Sequence, residues 1–214
     1  GLRSLARRPG QTALIVVDAQ YGFMPGGGLP VADGDAVVPV INRIAPRFAN
    51  VVLTQDWHPA DHVSFAANHP GRQPFDSIRL PYGEQVLWPT HCVQGTRDAA
   101  LHDGLRVDHA QLIIRKGFRR EIDSYSAFVE ADRRTTTGLA AYLHARGIRR
   151  LFLCGLATDY CVAWSALDAR AAGFEVTVIE DACRAIDFDG SLARAWADMA
   201  AAGVQRVQAR HLNE

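Results

Sequence analysis

No stretch of this 214-residue sequence approaches the roughly 18 consecutive apolar residues that a membrane-spanning helix requires, so we do not expect the chain to cross a bilayer. Neither sign of charge is in excess, because 23 basic and 23 acidic side chains give a formal net charge of zero. This balance argues against nucleic acid or an anionic membrane surface as the main partner. The four cysteines form no CxxC pair, and their spacing therefore argues against a zinc ribbon.

The first ten residues are basic but lack the apolar stretch of a secretory signal. We interpret residues 1–10 as a loose lead-in and expect a cytoplasmic protein, in which reducing conditions disfavour a disulfide framework. Cys154 and Cys183 lie in or beside apolar runs and are predicted to be buried, inert thiols. Hydrophobic residues make up 48% of the chain, enough for a sizeable core, and we predict one domain over residues 1–214.

Short apolar runs alternate with helix-like segments along most of the chain. The predicted strands are residues 13–17, 51–54, 111–114, 151–154, 175–179 and 204–207. The predicted helices are residues 35–49, 137–146, 158–171 and 191–201. This alternation indicates βαβ units and predicts an α/β fold with a parallel sheet.

Residues 57–109 interrupt the alternation. They are rich in proline, glycine, histidine and aromatic residues and show no clear period. Loops of this length are uncommon in a compact domain and are usually functional or disordered. Since the aromatic and histidine content argues against disorder, we predict a functional loop insertion.

Chemically reactive residues closely follow four predicted strands: Asp18, Asp56, Lys116 and, after a turn that begins at Gly155, Cys161. Ligands of parallel α/β sheets bind outside the carboxyl ends of the strands, so we expect these residues to meet at one sheet edge. Cys161 stands near the start of a helix-like segment. Backbone N–H groups there favour a thiolate and can hold a developing oxyanion.

Asp18, Lys116 and Cys161 are the residue types that a cysteine hydrolase needs. Asp18 can act as the base that takes the thiol proton, and Lys116 as the cation that stabilises the anions formed. Each residue alone has an ordinary alternative: an aspartate that caps a loop, a surface lysine or a core cysteine. Their combination at one edge favours catalysis.

Asp56, His58 and His91 are candidate metal ligands. The side chains of residues two apart on an extended segment point the same way, so Asp56 and His58 can bind one metal ion. His91 can complete the set of three ligands. Mixed carboxylate and imidazole ligands suit Zn²⁺, Fe²⁺ or Mn²⁺. A solvated loop histidine remains the alternative, and we assign that ordinary role to the other histidines, which are His62, His69, His102, His109, His144 and His211.

Three aromatic residues, Phe23, Trp88 and Tyr125, are candidates for lining a pocket for a flat heteroaromatic ligand. From the residues alone, ordinary core or loop packing is the preferred interpretation.

Five blocks, in this order, resemble motifs of the nicotinamidase branch of the isochorismatase-like cysteine hydrolases: VVDAQYGFM (16–24), TQDWHP (54–59), WPTHCV (88–93), RKG (115–117) and GLATDYCV (155–162). The resemblance extends over residues 13–207. It implies a six-stranded parallel sheet flanked by helices on both faces, in a Rossmann-like arrangement of three layers. It also implies hydrolysis of nicotinamide to nicotinate and ammonia, in NAD salvage.

The resemblance implies Cys161 as the nucleophile, Asp18 as the acid and base, and Lys116 as the third catalytic residue. It further implies that the backbone N–H groups of Ala157 and Cys161 form the oxyanion hole, and that the peptide bond from Leu156 to Ala157 is cis.

The same resemblance implies that Asp56, His58 and His91 hold a divalent metal ion, with Zn²⁺ first and Fe²⁺ or Mn²⁺ as alternatives. The metal would bind the pyridine nitrogen of the substrate. Some members have a further histidine ligand six residues after the first. Ser64 occupies that position here, and we expect it to act at most through a water molecule. The implied ring-binding residues are Phe23, Trp88 and Tyr125.

Two alternatives remain. Relatives that cleave N-carbamoyl or ureido compounds, several of them without a metal, share the catalytic residues, and the candidate metal ligands argue against that assignment. An inactive member could serve as a binding or scaffold subunit, but this chain keeps both the nucleophile and the base. Pyrazinamide is a second candidate substrate, and a homo-oligomer is an open expectation.

Overall fold

A computed structural model describes residues 8–213 of the chain. Its strands are β1 Thr12–Val17, β2 Asn50–Asp56, β3 Ser77–Leu80, β4 Gly83–Val86, β5 Leu112–Lys116, β6 Arg150–Leu156, β7 Glu175–Arg184 and β8 Gln205–Val207. Its α-helices are α1 Val37–Ile44, α2 Leu139–Ala145, α3 Ala163–Ala171 and α4 Ser191–Ala201. Six strands form a sheet in the order β5-β2-β1-β6-β7-β8, and every pairing in it is parallel. The predicted parallel six-stranded sheet is confirmed.

Helices cover both faces of this sheet. Strand β1 is buried along its length, and its alternate residues enter different parts of the core. Leu14 and Val16 belong to the hydrophobic cluster that contains the apolar face of α1. Ala13 and Ile15 belong to the cluster that contains apolar residues of α2, α3 and α4. The resulting helix–sheet–helix arrangement confirms the three layers.

Several boundaries differ from the sequence-based prediction. The predicted helix 35–49 is α1 flanked by two short 3₁₀ turns, and the predicted helix 158–171 opens with a wide π-helical turn, Thr158–Val162, before α3. Strand β7 runs five residues beyond its predicted end at 179. Residues 57–109 contain the β3–β4 hairpin and short 3₁₀ turns.

The predicted lead-in lies mostly outside the described residues, although Pro9–Gln11 forms a 3₁₀ turn. Among residues 8–213, none of the helices has both the length and the apolar character that a bilayer crossing requires.

The strand order brings β5, β2, β1 and β6 side by side, so that their carboxyl ends form one continuous edge. The junction of β6 with β1 requires a glycine. Gly155 has φ +116°, and a Cβ there would lie 2.0 Å from the carbonyl oxygen of Val17. The end of β6 therefore approaches β1 closely where the chain turns toward Cys161.

Candidate active site

The four reactive residues lie at the carboxyl edge of these four neighbouring strands, as predicted from the sequence. Lys116 ends β5, Asp56 ends β2, and Asp18 follows the last residue of β1. Cys161 lies in the wide turn that follows β6. All four side chains are buried, and Asp18 is 0% exposed. The sheet topology thus collects residues up to 143 positions apart in the sequence, from Asp18 to Cys161.

Lys116, the only lysine in the sequence, contacts every other member of this group. Its Nζ donates hydrogen bonds to Asp56 Oδ1 at 2.5 Å, to the Ser124 carbonyl oxygen at 3.0 Å and to Cys161 Sγ at 3.2 Å. It also lies 2.9 Å from Asp18 Oδ2. Although burial opposes the charged form, the two carboxylates raise the pKa of Lys116 well above its ordinary value. The side chain therefore stays an ammonium at neutral pH.

Asp18 is oriented by Thr54 on the adjacent strand. The Thr54 hydroxyl donates to Asp18 Oδ1 at 2.6 Å and accepts the backbone N–H of Asp18 at 3.1 Å. Among the described residues, Asp18 Oδ2 accepts no hydrogen bond of good geometry, despite the nearby ammonium. One carboxylate oxygen of Asp18 lies within 4.8 Å of Cys161 Sγ. The Asp18 carboxylate thus has unused acceptor capacity and lies near the thiol.

The protonation of Cys161 differs from the sequence-based expectation. Burial raises the pKa of the Cys161 thiol well above its ordinary value, and Lys116 offsets only part of that rise. Burial also raises the pKa of the Asp18 carboxyl, which makes it a better proton acceptor once it is ionised. The resting residue is therefore a thiol that needs a base. Carboxylates of both Asp18 and Asp56 lie within 4.8 Å of its sulfur, and Asp18, with the raised pKa, is the stronger base.

Asp56, His58 and His91 come together as predicted, with one ligand atom of each within 4.8 Å of the other two. Both imidazole Nε2 atoms face Asp56 Oδ2, at 3.3 Å from His58 and 3.5 Å from His91. Burial opposes ionisation of Asp56, but Lys116 and His58 hold its pKa well below the ordinary range. A buried carboxylate that stays charged at neutral pH is a suitable metal ligand.

The remaining nitrogens of the two histidines support a metal site. His58 Nδ1 lies 2.7 Å from the Gly117 carbonyl oxygen, and His91 Nδ1 lies 2.8 Å from that of Pro89. A carbonyl oxygen accepts only from a protonated Nδ1, so in the neutral form of each imidazole Nε2 carries the lone pair that a metal ion needs. A Cβ on Gly117 would lie 2.5 Å from His58 Cε1, and a glycine is therefore required beside this imidazole. These residues fit a divalent metal ion.

His62 and Asp123 are buried beside the candidate metal ligands, and sequence reasoning missed both. The ring centroids of His62 and His58 lie 4.2 Å apart, and one carboxylate oxygen of Asp123 lies within 4.8 Å of a nitrogen of each. The prediction of an ordinary solvated histidine at 62 is wrong, because its side chain is fully buried. Ser64 Oγ lies 2.7 Å from His62 Nδ1, and its role through a water molecule stays a prediction.

The three predicted aromatic residues line one small cavity together with Cys161 and two of the candidate metal ligands, Asp56 and His91. Trp88 Nε1 donates a hydrogen bond to the Tyr125 hydroxyl at 3.0 Å, and the Phe23 ring lies 5.4 Å from the His91 ring. The interpretation as ordinary packing is therefore incomplete. The lining residues are Phe23, Leu29, Asp56, Trp88, His91, Asp123, Tyr125, Ala157, Tyr160, Cys161 and Ile186.

The turn before the nucleophile has the backbone that the resemblance implies. The peptide bond from Leu156 to Ala157 is cis. Ala157 precedes the first residue of the wide turn, and both Ala157 and Cys161 line the cavity. N–H groups in the opening turn of a helical segment lack intrahelical acceptors, so this region can offer donors to an anionic oxygen.

Comparison with known proteins agrees with this geometry. The isochorismatase domain family matches residues 12–210. A nicotinamidase from Acinetobacter baylyi is 62% identical over 200 residues, which cover 94% of each chain. The solved structure of an Acinetobacter baumannii nicotinamidase and pyrazinamidase has a TM-score of 0.95 at 60% identity, covering 96% of this chain and 99% of that one.

A pyrazinamidase of Pyrococcus horikoshii, solved in complex with zinc, has a TM-score of 0.75 at 37% identity, covering 92% of this chain and 99% of that one. The family match extends over nearly the whole chain, and both similar structures are more than 30% identical to it. This chain therefore belongs to the isochorismatase-like hydrolases, in the branch that contains the nicotinamidases.

Proposed function

We propose that this protein hydrolyses nicotinamide to nicotinate and ammonia through a thioester on Cys161. The observation that carries the proposal is that Lys116 contacts both Cys161 and Asp56 at one end of an aromatic-lined cavity. A nucleophile beside a metal-ligand group suits a substrate with an amide and a ring nitrogen. The high identity to a nicotinamidase supports the same substrate.

In the proposed reaction, Asp18 takes the proton of the Cys161 thiol and the sulfur attacks the amide carbon. The N–H groups of Ala157 and Cys161 stabilise the oxyanion of the tetrahedral intermediate. Asp18 then returns the proton to the leaving nitrogen, which departs as ammonia and leaves the thioester. Asp18 next removes a proton from water, and the hydroxide displaces the sulfur as a thiolate. Asp18 returns that proton to the sulfur, which restores the thiol, and the carboxylic acid product releases its proton to solvent and leaves as nicotinate.

We propose Asp56, His58 and His91 as the residues that hold a divalent ion, with zinc first, supported by the zinc complex of a similar protein. Such an ion would supply a Lewis acid for the pyridine nitrogen and so orient the amide. Phe23, Trp88 and Tyr125 would contact the faces and edges of the ring, and a pocket of this kind would also accept pyrazinamide.

The test is ammonia release from nicotinamide by purified protein, before and after treatment with a chelator, and again after separate addition of Zn²⁺, Fe²⁺ and Mn²⁺. Activity that is lost to the chelator and restored by a metal supports the proposal and ranks the metals. Cys161→Ala protein prepared in parallel controls for contaminating amidase. Folded, reduced protein that is inactive with every metal would reject the proposal and favour an N-carbamoyl or ureido substrate.

A further inference from the structure

Asp159 is a buried acidic residue in the turn that carries Cys161, and it is not one of the residues that line the cavity. Its carboxylate accepts three hydrogen bonds, two from the segment that joins β7 to α4 and one from Ser191, the first residue of α4. Oδ1 accepts the N–H of Ile186 at 3.0 Å. Oδ2 accepts the N–H of Asp187 at 2.7 Å and the hydroxyl of Ser191 at 2.5 Å. The side chain of Asp159 thus connects the turn that carries Cys161 to a segment that is distant in the sequence, through hydrogen bonds.

The joining segment, residues 185–190, has no helix or strand of its own. Asp187 and Asp189 have left-handed backbones, with φ 52° and 51°, an uncommon conformation that aspartate adopts more readily than most residues and that surrounding contacts stabilise. Ser191 supplies one such contact, because its Oγ accepts the N–H of Phe188 at 2.8 Å while donating to Asp159. The conformation of the segment therefore depends on the Asp159 carboxylate.

The same segment forms one wall of the cavity. Ile186 lines it together with Tyr160 and Cys161. Two residues further along, the Phe188 ring lies 5.0 Å from that of Phe75, which in turn lies 5.6 Å from the Trp88 ring. A shift of the segment would move an apolar side chain that faces the bound ring.

We propose that Asp159 is a positioning residue that determines which ring the cavity accepts, by holding Ile186 at a fixed distance from the nucleophile. This inference rests on the proposed nicotinamidase activity, because the ring in question is that of the aromatic amide. Hydrogen bonds to a carboxylate are stronger than those between neutral groups, and three of them converge here. A fixed wall excludes an added methyl group, and one methyl-sized difference in an apolar pocket changes selectivity by roughly 10- to 200-fold.

The test compares nicotinamide with nicotinamides methylated at each ring carbon. Asp159→Asn keeps the shape of the side chain but places an NH₂ group where an oxygen accepted hydrogen bonds. We expect the ratio of kcat/KM for the best methylated substrate to that for nicotinamide to rise roughly tenfold, mainly through a higher KM for nicotinamide. Ile186→Ala should raise the same ratio. The double variant should add little, since both changes act on one contact.

Asp168→Asn is the matched control. Asp168 lies on α3, is buried to a similar extent as Asp159 and forms an ion pair with Arg133. It does not line the cavity. It should lower stability and leave the ratio unchanged. If Asp159→Asn does not fold, Ser191→Ala removes one of the three hydrogen bonds and should give a smaller rise of the same sign.

Two results overturn the inference when the wild-type protein is active on nicotinamide. One is an unchanged ratio in folded Asp159→Asn or Ser191→Ala. The other is a double variant in which the effects of Asp159→Asn and Ile186→Ala on the ratio add. Wild-type protein that does not hydrolyse nicotinamide rejects the proposed function instead. Hydrogen exchange of the backbone amides in residues 185–190 tests separately whether Asp159 holds this segment in place. Exchange should be faster in Asp159→Asn than in Asp168→Asn, and equal exchange would contradict it.

Discussion

Lys116 and Asp56 form a buried ion pair, with Nζ and Oδ1 2.5 Å apart, and this pair joins the candidate catalytic group to the candidate metal-ligand group. The second oxygen of Asp56 faces the Nε2 atoms of His58 and His91, while the same ammonium contacts the Cys161 sulfur. The sequence predicts two separate groups of residues, one for catalysis and one for metal binding. In the structure they share one lysine and one carboxylate, so a change in the charge of one group acts on the other.

Lys116→Met should destabilise the protein and abolish turnover. The change leaves Asp18 and Asp56 buried without their shared cation, and breaking a buried ion pair in this way costs about 3–5 kcal/mol. Urea denaturation and ammonia release measure the two effects. The control is Arg115→Met, at the exposed neighbouring residue, which should lower the free energy of unfolding by about 1 kcal/mol or less. Equal losses in the two variants would show that the buried pair does not stabilise the site.

Cys161→Ala should lose turnover by roughly 10⁴- to 10⁶-fold while keeping its metal, because it removes the proposed nucleophile and none of the proposed ligands. Steady-state ammonia release and metal analysis of the same preparation check both parts. Substantial remaining amidase activity would exclude the thioester route.

Asp56→Ala should reduce the metal content of the purified protein and weaken substrate binding. It removes the carboxylate that both imidazoles face and leaves the Lys116 ammonium without one of its two anions. Metal per chain is measured by elemental analysis after dialysis. His144→Ala, at an exposed histidine, should keep the wild-type metal content. Full metal occupancy in Asp56→Ala would remove this residue from the ligand group.

In the pH profile of kcat/KM, the pKa of the acid limb should lie above 3.8, the ordinary pKa of an aspartate carboxyl, because burial raises the pKa of Asp18. The proposed base must be ionised, so activity present above this raised pKa is lost as the pH falls through it. The profile is measured with saturating metal, and circular dichroism at each pH separates loss of activity from unfolding. An acid limb at or below 3.8 in folded, metal-loaded protein would argue against Asp18 as the base.

Alkaline pH should destabilise the fold through Cys183, whose thiol pKa burial raises from 9.0 to about 12. A group with a raised folded-state pKa stabilises the protein fully below its unfolded pKa and progressively less as the pH rises toward the folded value. Between pH 9.0 and about 12, Cys183→Ala should therefore lose stability less steeply than wild type, by about 1.4 kcal/mol per pH unit. Parallel slopes for the two proteins, from urea denaturation at several pH values, would contradict this.

The strand–helix alternation and the reactive residues at strand ends could be predicted from the sequence. Strands buried on both faces must be continuously apolar, as residues 13–17 and 151–154 are, and the chain becomes polar where the sheet ends. Because carboxyl ends of parallel strands share one edge, Asp18 and Asp56 had to lie near each other once the strands were adjacent. The three metal-ligand candidates could be identified by residue type and spacing, and the structure brings them together.

Other features depend on contacts that leave no local pattern. His62 and the Asp123 carboxylate beside it are 61 positions apart in the sequence, and the N–H of Ile186 donates to Asp159, 27 positions before it. A side-chain hydrogen bond has no periodicity in the sequence, so its partner is known only when the chain is folded.

The protonation of Cys161 was likewise decided by the fold. The helix-like segment and the nearby lysine favour a thiolate, but full burial outweighs both and raises the thiol pKa. The sequence by itself determined the alternation of strands and helices, the parallel sheet and the residue types at one sheet edge, because these follow from the pattern of apolar and polar residues. Only the tertiary structure decided that Lys116 connects the two groups and that Asp159 holds the cavity wall, because distances between side chains arise only from packing.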